Sequence, residues 1–216
     1  ALQTPFAYLT TVNIDNTATT ILKWIGFVVV FLFGPLNVGC TYVLRNTVKE
    51  QHVFMWSDFF YAIRKNLKQA IIFGLLDCMC FAAILYALPF YYTYATTFAM
   101  QMLLVAMIMI TLLYLVMRVY IYLMIVTFDL NFRKLYKYAF ILATAGIKRT
   151  IMMLAGLFTL FILSAYLVIL LKSLGLLLLF IFTLAFAYLI CVYCAYPVMK
   201  KHMIDPFYDE DGNSKD

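Results

Sequence analysis

Long apolar runs constrain this chain more than any other feature. From Ile21 to Leu44, and again from Thr97 to Phe128, apolar side chains follow one another with very few charges between them. About 20 helical residues cross the hydrocarbon core of a bilayer, so each run is long enough to span it. Because 66% of all residues are hydrophobic and only 12% are charged, too few charges remain to cover a water-soluble surface. We therefore interpret the chain as one membrane domain and expect the lipid bilayer as its partner.

The apolar runs predict an all-α, polytopic membrane helix bundle with about five transmembrane helices. The spans are expected at about residues 21–44, 70–92, 97–128, 150–171 and 176–198. Two basic connections predict amphipathic interfacial helices, one capped by Ser57 and Asp58 and the other with an apolar face made of Leu135, Tyr138, Ala139 and Leu142. Residues 1–20 are expected to form an extracytoplasmic lead-in, and residues 199–216 a cytoplasmic tail.

The basic residues are divided unequally between the two sides of the predicted bundle. Only Lys23 and Lys172 lie on one side, whereas the other side holds the clusters in residues 45–68, 133–149 and 200–215. The positive-inside rule therefore predicts that the amino terminus lies outside and the carboxyl terminus in the cytoplasm. The net charge of +6 is explained by this placement, so nucleic acid is not an expected partner.

A proline lies in the middle of the first apolar run, directly after Gly34. Pro35 lacks a backbone donor and crowds the preceding turn, so a kink or a break is expected at this point. Asn37 would then lie close to the carbonyl groups that the proline frees.

Two charged residues fall inside predicted spans. Asp77 lies about eight residues into the second span and Arg118 about ten residues before the end of the third, so both are expected roughly 12 to 16 Å deep. An isolated charge at that depth is costly, and we expect the two side chains to pair. Two interpretations stay open: the pair locks two helices in register, or it lines a polar pathway.

Motifs for catalysis, metals or cofactors are not evident in the sequence. It contains no Gly-rich phosphate loop, no GxSxG elbow and no HExxH pattern, and its five cysteines lie inside apolar runs without nearby histidines. We therefore expect no enzyme, no cofactor and no metal site.

Two stretches resemble the YesL-like family of bacterial integral membrane proteins. The first is Gly34-Pro35 followed by Thr41 to Arg45, and the second runs from Trp56 to Ala70, with the sequence WSDFFYAIRKNLKQA. The family has a "GP" after its first apolar run and a segment similar to "RDFF..F..N.KQA" before its second. Ser57 stands where the family usually has a basic residue.

The resemblance implies a role beside carbohydrate import. Family members tend to be encoded with carbohydrate ABC importers in Gram-positive bacteria, so the chain looks like a non-enzymatic accessory subunit of an ABC import system in the cytoplasmic membrane. The alternative is an independent small-solute transporter or channel subunit, and a homo-oligomer is compatible with either. The matched residues also predict the surface that contacts an ABC permease or another membrane protein: Asp58, Phe59, Phe60, Asn66 and Lys68.

Overall fold

The computed structural model describes residues 16–128, 130–171 and 182–206, and every regular element in these ranges is helical. The six α-helices are α1 (Asn16–Val48), α2 (Met55–Tyr94), α3 (Phe98–Ile125), α4 (Phe132–Ala145), α5 (Ile147–Leu171) and α6 (Leu184–Met199), and a π-helical turn at Lys200–Ile204 extends α6. The predicted all-α fold class is confirmed. The predicted boundary between the last two spans, most of the lead-in and the end of the tail lie outside the described residues.

Five of these helices are long and apolar enough to cross a membrane. The candidate spans are Val28–Val48, Met55–Tyr94, Phe98–Ile125, Ile147–Leu170 and Leu184–Ile204. Helix α4 has 14 residues, too few for a span. Large apolar side chains remain exposed along the spans; in α3, for example, Val105 is 57% and Met109 is 63% exposed. Such a surface needs lipid as its solvent, so the chain is a multi-pass membrane protein.

The connection between the first two spans is shorter than the sequence predicts. Helix α1 continues to Val48 and α2 already begins at Met55, so the predicted interfacial helix and the second span form one helix that is kinked at Asn66. Asn66 has non-helical dihedral angles (φ −109°, ψ 16°), and its side-chain amide donates to the carbonyl of Ala62 at 3.1 Å. Pro89 lies inside α2, which continues to Tyr94, two residues beyond the predicted end of the second span.

The segment of α2 before the kink has two different faces. Its buried face lies against α1, where the ring of Phe59 fills the space beside Gly39 and Ala62 is fully buried. Its outer face exposes Trp56 and Phe60 next to basic side chains. A face that mixes aromatic and basic residues suits the boundary between lipid and water.

Helix α4 uses its apolar face differently from the expected interfacial helix. Leu135, Ala139 and Leu142 of the predicted face are buried, together with Ala143, whereas Tyr138 is only partly buried. The helix packs mainly against α3. Its apolar face therefore belongs to the protein core.

Most of the core lies at one end of the bundle. The buried residues come mainly from the second half of α3, from α4 and from the second half of α6, and they are joined by Val38 of α1, Ala70 and Phe73 of α2, and Met153 of α5. This is the end at which the basic connections gather. Toward the other end the spans are far less buried. In α3, for example, only 6% of the most apolar 18-residue segment is buried inside the protein.

Helices α1 and α2 touch through their backbones at two glycines. A Cβ atom built on Gly34 would lie 2.8 Å from the Cα of Gly74 and would also collide with the carbonyl oxygen of Ala70. Small residues allow such a close crossing, which is a common way for membrane helices to associate. Of the kink or break expected at Gly34-Pro35, a break does not occur, since α1 continues as one helix through Pro35; the kink stays a prediction. Membrane helices tolerate proline when neighbouring helices support the backbone.

The crossing predicts a position-specific effect of adding a methyl group to α1. We expect Gly34→Ala to destabilise the bundle by about 1–3 kcal/mol, because the new Cβ must force the two backbones apart. Gly26→Ala in the same helix is the control, since nothing lies within 4 Å of its added Cβ. Thermal unfolding in detergent measures both, and equal melting temperatures would contradict the crossing.

Candidate functional site

A buried carboxylate in α2 is the centre of a polar network. Asp77 is 5% exposed, and its Oδ2 atom accepts from Arg118 Nε at 2.5 Å and from the Tyr122 hydroxyl at 3.0 Å. Its Oδ1 atom accepts a hydrogen bond from the hydroxyl of Tyr114. The three donors are spaced four residues apart in α3, so they lie along one face of that helix. The structure thus brings Asp77 and Arg118 together.

Arg118 carries the network on to α1. Its Nη2 atom donates to Asn37 Oδ1 at 3.2 Å. The guanidinium carbon lies 5.2–5.3 Å from the ring centroids of Phe33, Phe81 and Tyr122. Such cation–π contacts favour a cation that has been removed from water.

The last link of the network reaches α6. The Thr41 hydroxyl lies 2.9 Å from the Tyr188 hydroxyl, and both hydroxyls also bond to the backbone carbonyl of Asn37, at 2.7 Å and 3.4 Å. The network consequently joins four spans, namely α1, α2, α3 and α6. Chemically, it is a fixed set of charge and hydrogen bonds that holds these helices in one register.

Asn37 contacts a backbone carbonyl of its own helix as well as Arg118. Its amide nitrogen donates to the carbonyl of Phe33 at 2.7 Å, one turn back in α1, while its Oδ1 atom accepts from Arg118. Asn37 therefore links the two sides of the network. Tyr114 and Tyr122 were not predicted as site residues; the signal for them in the sequence was their spacing, four residues before and after Arg118.

Space around Asp77 is limited. The cavity between α2, α3 and Tyr136 of α4 has a volume of about 10 Å³, enough for the centre of one water molecule. Burial raises the pKa of the Tyr136 phenol, with smaller contributions from Cys80 and Asp77. Tyr136 is therefore a neutral neighbour of the carboxylate.

A much larger space lies on the other side of Arg118. We call it the lateral groove; it has a volume of about 920 Å³ and lies between α1, α2 and α6. Its walls are mainly apolar, and its floor contains polar groups of Asn37, Arg118 and Tyr188. The other lining residues include Phe33, Leu36, Cys40, Trp56, Phe59 and Ala185.

A second buried arginine lies at the basic end of the bundle and binds the end of α3. Arg45 is 9% exposed, and its Nη1 atom donates to the carbonyl of Val126 at 2.6 Å and to the Thr127 hydroxyl at 3.1 Å. Both acceptors follow the end of α3, where helix carbonyls lack helical partners and the helix dipole is negative. The sequence predicted only a topology signal here, whereas the structure shows a tertiary helix cap.

The structure divides the predicted partner surface into two groups. Phe59 packs on Gly39, Asn66 forms the kink, and the Asp58 carboxylate accepts from the backbone N–H of Phe54 at 3.0 Å. Phe60 and Lys68 are exposed. Only this second group is presented outward, beside Trp56, Tyr61, Arg64 and Lys65.

Fold and network together define a polytopic α-helical membrane protein with a polar centre shared by four spans. The sequence model of a family described as "Protein of unknown function, DUF624" matches residues 17–88, which contain most of α1 and α2. The matched range contains Gly34, Gly74 and Asp77 of this chain and ends before α3 and Arg118. No curated protein matches the chain, and no solved structure matches it.

The network predicts coupled effects of substitutions at its two charges. Asp77→Asn should destabilise the bundle by about 3–5 kcal/mol, because it leaves the Arg118 guanidinium buried without its counter-charge. Adding Arg118→Gln should restore part of the loss, as thermal unfolding in detergent would show for the four members of a double-mutant cycle. Asp58→Asn, at a helix end, is the control and should have a small effect. Additive effects of the two changes would rule out the pair.

Proposed function

We propose that this protein is a non-enzymatic accessory subunit of a bacterial carbohydrate ABC import system and that it is related to the YesL-like family. The resemblance in residues 34–70 supports this proposal, and the matched family model covers the same part of the chain. The sequence lacks the Glu-Ala-Ala coupling loop of an ABC permease, so the protein would act beside the permease.

The enclosure of Asp77 by three donors of α3, which occupy three of the roughly four acceptor positions of a carboxylate, is the observation that carries the accessory role. Three side chains of α3 donate to its carboxylate, and the adjoining cavity has room for about one water molecule. A carboxylate that binds and releases a solute or ion needs free acceptor positions and an access route. The Asp77 network instead supports a rigid scaffold, which favours the register interpretation of the pair.

The outer face of α2 before its kink offers a contact surface for cytoplasmic or membrane partners. Trp56 is 78% exposed and Phe60 is 50% exposed, and Arg64, Lys65 and Lys68 are exposed beside them. Aromatic side chains and arginine are enriched where proteins bind each other. This surface is our candidate for contact with the import machinery.

Charge placement supports the proposed orientation in the cytoplasmic membrane. Short connections make successive spans antiparallel, so the ends of α1 and α6 and the starts of α2 and α5 share one side. Basic residues gather on this side, including Lys49, Arg64, Lys148 and Lys200. The positive-inside rule places it in the cytoplasm.

The alternative, an independent small-solute transporter or channel subunit, is favoured by the lateral groove. The groove is large enough for a small solute, and its floor carries the Arg118 guanidinium. Among the described residues, however, the groove is separate from the small cavity beside Asp77, and no route between them is seen.

Co-purification tests the accessory role. The tagged protein is extracted from native membranes of its own host with a mild detergent after growth on different carbohydrates. We expect mass spectrometry to recover an ABC permease or its solute-binding protein with the wild type. Recovery should fall when Trp56 and Phe60 are both changed to Ser, whereas Phe158→Ser, an equally exposed position on α5, should leave it unchanged.

Absence of any importer component under every carbohydrate would remove the support for the accessory role. Purified protein in liposomes then tests the alternative. Carbohydrate or ion uptake above that of empty liposomes would establish transport by the protein itself.

Labelling tests the orientation. Lys201→Cys lies after α6 on the basic side, and Thr96→Cys lies in the turn between α2 and α3 on the other side. A membrane-impermeant maleimide added to intact cells should label the residue 96 variant and not the residue 201 variant. The reverse pattern would overturn the proposed topology.

A further inference from the structure

The lateral groove extends from one edge of the bundle to the middle of the membrane. Leu44, Met55 and Trp56 line it near the turn between α1 and α2, and Asn37 and Arg118 lie at its deep end. Asn37 lies 11 residues before Val48, the last residue of α1, which corresponds to roughly 16 Å along the helix. The groove therefore enters the hydrocarbon core from the basic side of the bundle.

Arg118, which lies at the deep end of the groove, has unused hydrogen-bond donors. An arginine guanidinium has five N–H groups, and Arg118 uses one on Nε for Asp77 and one on Nη2 for Asn37. Among residues 16–128, 130–171 and 182–206, no acceptor is recorded for the other three. The side chain is 16% exposed and lines both the groove and the small cavity beside Asp77. A groove occupant that carries an acceptor at this depth would satisfy donors that lipid cannot.

Phospholipid is a poor match for this floor. Its oxygen atoms lie at the interface, whereas the hydrocarbon core is about 30 Å thick and offers only CH₂ and CH₃ groups near its middle. An acyl chain would cover the apolar walls of the groove but would leave the donors of Arg118 unpaired. A transmembrane helix, by contrast, can carry an apolar surface and a polar side chain at any depth.

We infer that the lateral groove receives a transmembrane helix of a partner protein and that an acidic, amide or hydroxyl side chain of this helix accepts from Arg118. This inference rests on the proposed accessory role and specifies where the partner binds. The complementarity is between the free guanidinium donors and an acceptor at mid-membrane depth. The apolar groove walls supply the packing surface on either side of this bond.

A native cysteine allows the groove to be probed directly. Cys40 is exposed and lines the groove, eight residues before the end of α1. In a variant with Ala at the other four cysteines, Cys40 is labelled with a photoactivatable maleimide in native membranes and irradiated. We expect adducts with a peptide from an apolar span of another membrane protein. The matched control carries Ala155→Cys instead, exposed and eight residues from the start of α5, and should give lipid adducts.

A blocking variant gives a second readout. Ala185 lines the groove from α6, and Ala185→Trp should lower recovery of the co-purified partner by about tenfold or more because the indole occupies the groove. Phe186→Trp is the control, since Phe186 is 51% exposed on the same helix but does not line the groove. Unchanged melting temperatures would show that both variants are folded.

The outcomes separate the groove from the accessory role. A partner that co-purifies normally while Cys40 gives adducts only with lipid or with a second copy of this chain would overturn the groove inference and leave the accessory role intact. Full recovery of the partner with Ala185→Trp would have the same meaning. If no partner is recovered with the wild type and Cys40 gives no protein adduct, both ideas are wrong.

Discussion

Burial of the Asp77 carboxylate inside a membrane span is the constraint on which the rest of the structure depends. A charge at this depth is costly unless its partners are supplied by the protein. Here one face of α3 supplies them through Tyr114, Arg118 and Tyr122. A rotation or a shift of α3 by one residue would remove all three donors together. The carboxylate therefore fixes both the rotation and the depth of α3 relative to α2.

The glycine crossing brings α1 within reach of this centre. Asn37 lies three residues after Gly34, and Asp77 lies three residues after Gly74. Because α1 and α2 are antiparallel, these residues lie on opposite sides of the crossing, each roughly 4.5 Å from it along its own helix. Arg118 is long enough to contact both. A wider separation of α1 and α2 would break its bond either to Asn37 or to Asp77, so the small residues and the ion pair act together.

Much of the fold could be predicted from local sequence patterns, because each span is a property of about 20 consecutive residues. The pairing of Asp77 with Arg118 was also accessible, since equal depth in neighbouring helices follows from counting residues. The roles of Gly34 and Arg45 were not, because both depend on residues far away in the chain. Gly34-Pro35 has the local pattern of a kink. The reason that a glycine is needed at position 34, however, is the close contact between its backbone and Gly74. Likewise, only the tertiary structure shows that Arg45 meets the end of α3.

The tyrosines of the candidate site were not predicted, because tyrosine is common throughout this chain. The chain contains 17 tyrosines, and most positions suit interfacial anchors, so Tyr114, Tyr122 and Tyr188 did not stand out. Their distinguishing property is the depth at which they occur. For the predicted partner surface, the sequence pattern indicated too many residues. Phe59 and Asn66 match the family pattern, but Phe59 packs against α1 and Asn66 forms the kink of α2. Residues that match a family pattern can be needed for the fold as readily as for binding a partner.

The polar network also marks the boundary between two differently packed halves of the bundle. In α3, residues 98–113 are mostly exposed, whereas burial increases from Val116 onward; in α1 the change occurs at Gly34, and in α6 at Cys191. The network lies where the spans begin to separate, so it forms the last set of contacts that the chain makes with itself before lipid or a partner must cover the helices. Polar bonds are well suited to this position, because lipid competes with apolar packing but offers no hydrogen bonds at this depth. The half beyond the network is thus left for lipid or other membrane molecules to cover, whereas the packed half is accessible to them at the lateral groove.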